Sequence, residues 1–200
     1  VARDAAFAFV YPANLEVLRD LGARPVLFSP LAGDPLPPCD ALWLPGGYPE
    51  LHAARLAELS GLRAQIAAHV QSGKPLWAEC GGLMVLAEHL VDAAGRPHAL
   101  WGLLPGTAML GRRLAALGPH EMPLAGEAMP LRGHSFHWSR FETKLEPASF
   151  TTPQRRSAAA GDGEAVYELG SLRASWFHPW FASSPAAAAR LFDTPSPFRP

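Results

Sequence analysis

Short apolar runs alternate with helical patterns over the first half of the chain. Four of these runs predict buried strands, at residues 5–10, 24–28, 41–44 and 75–78. Between them, leucines at helical spacing predict a helix that Asn14 caps and Gly22 ends, and a second helix follows at residues 60–72. Strands and helices that alternate in this way predict a parallel sheet with a helical layer on each face.

The second half has a different pattern, because Gly and Pro interrupt its short β-like runs. We expect antiparallel or edge strands at residues 106–110, 133–142 and 165–169, a further strand at 171–177, and a polar loop at 151–163. Ser184 and Pro185 predict the start of a final helix that runs to about Phe192. The predicted fold class is therefore α/β, with three layers, a mostly parallel central sheet with helices on both faces, and extra antiparallel strands in the second half.

Composition and charge exclude several classes of function. The 200 residues are 48% hydrophobic and 18% charged, which suits one domain with a complete core, and the formal charge of −1 predicts no nucleic-acid partner. We recognise no membrane-spanning stretch and no signal peptide, and two cysteines make no disulfide framework, so we expect a cytoplasmic protein with no membrane partner. The chain starts at Val1 rather than Met, and we expect it to be part of a longer protein.

The segment Ala78-Glu79-Cys80-Gly81-Gly82 is the most informative feature of the chain. It lies between a predicted strand and a predicted helix, and small residues stand two positions before and after the cysteine, which is typical of a nucleophile elbow. The start of the helix would favour the thiolate form of Cys80, which is the attacking species. A cysteine after an apolar strand can also be a small buried hydrophobic residue, and the segment alone leaves both interpretations open.

Candidate chemistry lies at three predicted strand ends, which surround the ligand site in an open α/β sheet. Cys80 follows one strand, the Pro45-Gly46-Gly47 turn follows another, and His178 follows a third. The backbone N–H groups of Gly47 and Gly81 could form an oxyanion hole, with Cys80 as nucleophile and His178 as its base. Each feature alone is commonly structural, and their combination predicts catalysis.

Four longer segments carry a resemblance to a known family. They are residues 43–50 (WLPGGYPE), 78–84 (AECGGLM), 132–137 (RGHSFH) and 175–181 (SWFHPWF). Together they resemble the glutamine amidotransferase half of cobyrinic and hydrogenobyrinic acid a,c-diamide synthases, and the resemblance extends over nearly the whole chain. It implies a class I-like glutamine amidotransferase fold.

The resemblance also implies a reaction. Cys80 would attack the side-chain amide of glutamine, the N–H groups of Gly47 and Gly81 would hold the oxyanion, and His178 would protonate the departing ammonia. Ammonia would pass to a synthetase domain, N-terminal in the same polypeptide, that uses ATP and Mg²⁺ to amidate the a and c carboxylates of the corrin ring in cobalamin biosynthesis. The glutaminase domain would comprise residues 1–194, followed by a Pro-rich tail at 195–200, and would itself hold no cofactor or metal.

Position 180 departs from the wider class. Many class I amidotransferases carry His-x-Glu, whose glutamate orients the base, whereas Trp180 occupies that position here. Another group must therefore orient His178, or a Cys-His dyad acts alone, and Glu50 and Glu79 are the nearby candidates. Glu50 and Glu79 are also candidate glutamine-binding residues, as are Gly46 and Tyr48.

His134 and His137 are the remaining candidates for substrate binding. They stand three residues apart, so on a strand they would face opposite sides, which argues against a shared metal ion. Each could contribute near the acceptor or be a buried structural histidine. The only Gly-Lys pair, Gly73-Lys74, lacks the rest of a phosphate-binding loop, so ATP binding in this domain is not expected.

Two other functions remain open at this point. A catalytically silent binding module would explain Trp180, and a related cysteine amidase would share the elbow, although the PGGYPE segment weighs against the amidase. We also expect weak basal activity from the isolated domain, because the Gly46-Gly47 turn is flexible by composition.

Overall fold

The structure, a computed structural model, describes residues 1–154 and 163–193. Its helices are α1 (Pro12–Asp20), α2 (Ala53–Ala57), α3 (Ser60–Gln71), α4 (Gly81–Leu86) and α5 (Pro185–Arg190), with 3₁₀ helices at Pro49–His52 and Phe181–Ser183. Its strands are β1 (Leu42–Leu44), β2 (Leu76–Glu79), β3 (Ala87–Val91), β4 (Pro97–Ala99), β5 (Leu104–Leu110), β6 (Ala116–Met122), β7 (Leu131–His137), β8 (Ser139–Glu142), β9 (Ser149–Phe150), β10 (Thr152–Pro153), β11 (Ala165–Leu169), β12 (Leu172–Ser175) and β13 (Phe177–Pro179).

A five-stranded sheet in the order β1-β2-β12-β11-β9 forms the centre of the described fold. Its first three strands are parallel, and β11 and β9 add antiparallel pairings that come from the second half of the chain. Every residue of β1 and β2 is buried, as expected for strands covered on both faces. The predicted α/β architecture with added antiparallel strands is therefore confirmed.

Two smaller sheets extend this core. One has the order β10-β6-β7-β13 and carries His178 on its edge strand β13, and the other has the order β4-β3-β5-β8. The predicted strand at 133–142 is two strands, β7 and β8, that belong to different sheets. The strand predicted at 171–177 is likewise divided, because β12 ends at Ser175 in the central sheet and β13 begins at Phe177 in the smaller one.

The predicted strands at 5–10 and 24–28 are wrong. The Asp4 carboxylate accepts hydrogen bonds from the backbone N–H groups of Ala6 (2.9 Å) and Leu31 (2.8 Å), and this turn bends the chain where a strand was expected. In these two segments, β pairing is confined to isolated bridges, one between Ala2 and Phe28 and one between Phe9 and Gly46. These bridges still join the N-terminal segment to the β1 end of the central sheet, because Ala2 N–H donates to Trp43 O (3.0 Å).

The predicted helix at 60–72 is confirmed as α3, and the final helix starts at Pro185 but ends at Arg190 rather than Phe192. Ser184 makes no capping bond with its side chain. Within the predicted loop at 151–163, Thr152 and Pro153 pair with β6, while residues 155–162 lie outside the described residues. So does the predicted tail at 195–200. Among the described helices, none has the length and apolar character that crossing a membrane requires.

Candidate active site

Cys80 lies in the sharp turn between β2 and α4. It is the one non-glycine residue with a positive φ in the described part of the chain (φ +48°, ψ −104°), a conformation that costs on the order of 1–3 kcal/mol. Its backbone N–H donates to Ser175 O on β12 (2.8 Å), which continues the parallel pairing past the strand end. A Cβ on Gly82 would lie 2.1 Å from Leu44 O, so the turn requires glycine there.

The turn after β1 lies directly against the elbow. A Cβ on Gly81 would lie 2.9 Å from the backbone nitrogen of Gly47, and a Cβ on Gly47 would lie 2.2 Å from Ala6 O. The Gly46 carbonyl accepts a hydrogen bond from Phe9 N–H (3.0 Å). The structure thus brings together the backbone of the two glycines that the sequence predicts for an oxyanion hole, and leaves no room for a side chain on either.

His178 reaches the same turn from β13. A Cβ on Gly46 would lie 2.3 Å from His178 Cε1, so the missing side chain of Gly46 makes space for the imidazole. The ring of His134, its cross-strand partner on β7, stacks on His178 with centroids 5.0 Å apart and planes inclined by 16°. Phe9 packs edge-on against it at 6.0 Å. Packing on several sides therefore holds the imidazole beside the glycine turn.

No carboxylate in the described residues forms an ion pair with His178, and this includes both Glu50 and Glu79. Neither sequence candidate for an orienting carboxylate therefore forms an ion pair with the base. Stacking on His134, close contact with Gly46 and the pairing of β13 orient the ring instead.

The electrostatics of the pair favour neutral forms. Burial, and next the charge of Glu79, raise the pKa of the Cys80 thiol, and the hydrogen bond from Gly81 N–H lowers it only in part. Burial, and next the charges of His134 and His137, lower the pKa of His178 to about 3. The N–H donor at the helix start favours the thiolate as expected, but desolvation outweighs it, and the pKa of the thiol rises overall. Both pKa shifts therefore favour a neutral thiol and a neutral imidazole in the resting pair.

Glu79 is a buried carboxyl group, only 2% exposed, next to the cysteine. Burial raises its pKa to about 8, while the N–H groups of Trp77, Gly46 and Trp43 lower it in part. Trp77 Nε1–H donates to its Oε2 (3.3 Å), whereas the indole N–H of Trp43 falls short of hydrogen-bond geometry. Glu79 therefore links the end of β2 to the glycine turn instead of facing solvent.

The remaining candidates differ in their access to a ligand. Tyr48 is half-exposed and packs edge-on against Phe9, with ring centroids 5.0 Å apart. Glu50 lies half-buried in the first turn of the following 3₁₀ helix, and burial raises its pKa. His134 faces the site, and the hydroxyl of Tyr11 lies 3.5 Å from its Nδ1.

His137 lies on the opposite side of β7 from His134, as its spacing predicts. Its Nε2 lies 3.0 Å from Glu164 Oε1, its Nδ1 lies 2.6 Å from Ser139 O, and its ring stacks on Trp176. Glu164 also accepts a hydrogen bond from Ser135 Oγ. Both ring nitrogens of His137 are therefore engaged in this buried network. The described residues contain no group of three or more His, Cys, Asp or Glu side chains arranged to hold a metal ion.

Sequence analysis missed Asn14 as a residue of this region. The predicted cap is wrong, because α1 begins two residues earlier, at Pro12, and Tyr11 stands at the N-cap position. The side chain of Asn14 is fully buried and bonds the chain just after His178. The available signal was a polar residue on the same buried face as Leu15 and Leu18.

A cysteine at a strained strand-to-helix turn, a glycine turn against it and a histidine beyond the next parallel strand define a protein of the glutamine amidotransferase class. Solved structures support the fold. One glutamine amidotransferase matches with a TM-score of 0.61 over 96% of both chains at 19% identity. PurLQS from Thermotoga maritima matches with a TM-score of 0.54 over 84% of both chains at 16% identity.

The chain belongs to the CobB/CobQ-like glutamine amidotransferase domain family, which its residues 1–186 match. It is 48% identical over 195 residues to cobyrinate a,c-diamide synthase of Herminiimonas arsenicoxydans. It is 50% identical over 192 residues to hydrogenobyrinate a,c-diamide synthase of Pseudomonas aeruginosa. Each alignment covers 96% of this chain, and the chain spans 43% of the length of each relative.

Proposed function

We propose that this chain is the glutaminase half of a cobyrinate or hydrogenobyrinate a,c-diamide synthase. The observation that carries the proposal is the strained Cys80 elbow in contact with the Gly46-Gly47 turn, with the His178 imidazole packed on that same turn. The names of the curated relatives support the particular reaction. A silent binding module and a general cysteine amidase find no comparable support.

In the proposed mechanism, the Cys80 sulfur attacks the side-chain amide carbon of glutamine. Because the resting pair is neutral, the thiol proton passes to His178 as the carbon–sulfur bond forms. The N–H groups of Gly47 and Gly81 stabilise the oxyanion, a contribution whose removal typically costs about 10²–10³ in rate. His178 then protonates the departing ammonia, and water, with His178 as base, cleaves the thioester to release glutamate.

We further propose that the ammonia is used by a synthetase half in the same polypeptide. The curated relatives are more than twice as long as their aligned part, since this chain spans 43% of each, which leaves room for such a domain. That half would bind ATP, Mg²⁺ and the corrin acid. Its docking would promote the competent form of the glycine turn, so weak basal activity of the isolated domain stays a prediction. Thiols are kept reduced in the cytoplasm, so a cysteine nucleophile without a disulfide partner favours that compartment.

Labelling with 6-diazo-5-oxo-norleucine, followed by peptide mapping in a mass spectrometer, tests the proposal. We expect modification of Cys80 in the full-length protein, protection by excess glutamine, and loss of labelling in Cys80→Ala. Cys39→Ala is the matched control, because Cys39 is the other free cysteine and its Sγ lies 3.8 Å from Nδ1 of His69 on α3. Labelling that survives Cys80→Ala, or glutamine hydrolysis that is unchanged by it, would refute the mechanism.

A further inference from the structure

The side chain of Asn14 bridges α1 and the chain segment that follows His178. Its Nδ2 donates to Pro179 O (2.9 Å), and its Oδ1 accepts from the backbone N–H of Phe181 (2.8 Å). The side chain is fully buried. One amide therefore holds the backbone on both sides of Trp180, the position where many class I enzymes carry the orienting glutamate.

The Asn14 amide can bind this backbone because β13 lies at the edge of its sheet. Its inner edge pairs with β7, and Trp180 N–H continues that pairing by donating to Arg132 O (2.8 Å). Backbone groups of alternate residues point to the opposite, outer edge, where none of the described strands lies. Pro179 has no N–H, so that edge offers one acceptor at Pro179 and one donor at Phe181, which the two ends of an Asn amide satisfy.

We propose that Asn14 is a positioning residue for the base, which fixes the backbone that carries His178 in place of the carboxylate absent from position 180. This inference rests on the proposed function. β7 holds the inner edge of the segment and Asn14 the outer edge, so the backbone beyond His178 is bonded on both sides. Without the amide, two buried backbone groups would lose their partners, and the segment would shift to reach others.

The side-chain amide of Asn14 carries no charge, which agrees with the electrostatics of the site. A carboxylate beside the base would stabilise the imidazolium, whereas an amide fixes the position of the ring without favouring its charged form. Burial together with the neighbouring histidines keeps the pKa of His178 low, which favours the neutral imidazole. Asn14 therefore supplies geometry and leaves the charge of the base to its surroundings.

The test compares Asn14→Asp, Asn14→Ala and Leu18→Ala in the full-length protein. Asp has nearly the shape of Asn but no donor for Pro179 O, and Ala removes both bonds. Leu18→Ala is the matched control, because Leu18 is also buried on α1 but makes no bond to the His178 segment. Glutamine hydrolysis is measured as kcat and KM per active site, with sites counted by end-point labelling with 6-diazo-5-oxo-norleucine, so that unfolded protein does not contribute.

We expect kcat per site to fall about 10- to 100-fold in both Asn14 variants, with KM changed less than about threefold, since a displaced base slows the chemical step. Leu18→Ala should lower the thermal midpoint but keep kcat per site. If Asn14→Asp does not fold, the comparison of Asn14→Ala with Leu18→Ala tests the positioning role. Unchanged kcat per site in an Asn14 variant would overturn the positioning role alone. Absence of glutamine hydrolysis in the unsubstituted full-length protein would overturn the proposed function as well.

Discussion

The imidazole of His134 lies flat against that of His178, with ring centroids 5.0 Å apart and planes inclined by 16°. The two residues are directly opposite on the antiparallel strands β7 and β13. The same neighbour therefore holds the ring of the proposed base in place and makes its protonation less favourable, because His134 is the second cause, after burial, of the low pKa of His178.

Replacing His134 by Phe should separate these two effects. Phe can still stack on His178 but carries no charge, so we expect the pKa of His178 to rise while burial still holds it below its ordinary value. The acidic limb of the pH dependence of kcat/KM for glutamine should move to higher pH. Tyr11→Phe is the control, because it removes only the hydroxyl that lies 3.5 Å from His134 Nδ1. An acidic limb that stays in place in His134→Phe would contradict this account.

Glu79→Gln should change how stability depends on pH. Burial raises the folded-state pKa of Glu79 to about 8. At pH values between the ordinary pKa of a Glu side chain and about 8, the folded protein therefore binds more protons than the unfolded chain. The stability that this carboxyl group contributes is thus complete at acidic pH and is lost as pH rises through about 8. Gln cannot ionise, so the free energy of unfolding of the variant should not show this decrease, which is on the order of a few kcal/mol.

Denaturant unfolding of both proteins from pH 5 to pH 9 measures this effect. The free energy of unfolding of Glu79→Gln, relative to the unsubstituted protein, should increase toward alkaline pH. Glu58→Gln is the control, because the Glu58 side chain is 68% exposed and should show no such trend. A constant difference across the pH range would show that Glu79 ionises as easily in the folded protein as in the unfolded chain.

The sequence allowed prediction of those parts of the fold and site that depend on local patterns. Cys80 and the Gly46-Gly47 turn follow buried apolar strands that are predicted to be parallel, so their position at one edge of the sheet followed from strand direction alone. Asn14 was misassigned because its partners lie more than 160 residues away, at Pro179 and Phe181. A capping pattern is local, and nothing nearby in the sequence signals that long-range contact.

Several strands of the small sheets were missed, and β6 and β3 were missed for a related reason. β6 contains Gly118 and Pro119, which disfavour a strand in isolation, and it forms because β7 pairs with it along its whole length. β3 follows α4 without a break, and it forms because it pairs with β4 and β5, which no local pattern in the sequence indicates. Tertiary pairing overrode local propensity in both places.

Gly82→Ala should disrupt the elbow. The added Cβ would lie 2.1 Å from Leu44 O, a contact that only a shift of α4 away from β1 can relieve. We expect a loss of about 3 kcal/mol or more in the free energy of unfolding and little labelling of Cys80. Gly61→Ala is the control, because a Cβ there meets nothing within 4 Å in the helix α3, and it should stabilise the protein by up to about 1 kcal/mol. Equal stability of the two variants would refute the close packing of α4 on β1.

Glu164→Gln should weaken the buried network behind the site. Burial raises the pKa of Glu164, but the hydrogen bonds and charge of His137 and the hydrogen bond of Ser135 lower it below its ordinary value overall. The folded state therefore favours the carboxylate, and the stability that it contributes is present above the ordinary carboxyl pKa and is lost as pH falls through the lower folded value. At neutral pH, we expect Glu164→Gln to lose about 1–3 kcal/mol in the free energy of unfolding.

The same reasoning predicts that the difference between Glu164→Gln and the unsubstituted protein shrinks at acidic pH, where the carboxylate of the unsubstituted protein is also protonated. Unfolding measured from pH 7 down to pH 3 checks this expectation. Glu142→Gln is the control, because Glu142 and its ion-pair partner Arg140 have side chains 59% and 66% exposed, and exposed pairs contribute little. If Glu164→Gln were no more destabilising than Glu142→Gln at neutral pH, the network would be packing alone, and the charge of Glu164 would not stabilise the strand that carries His134.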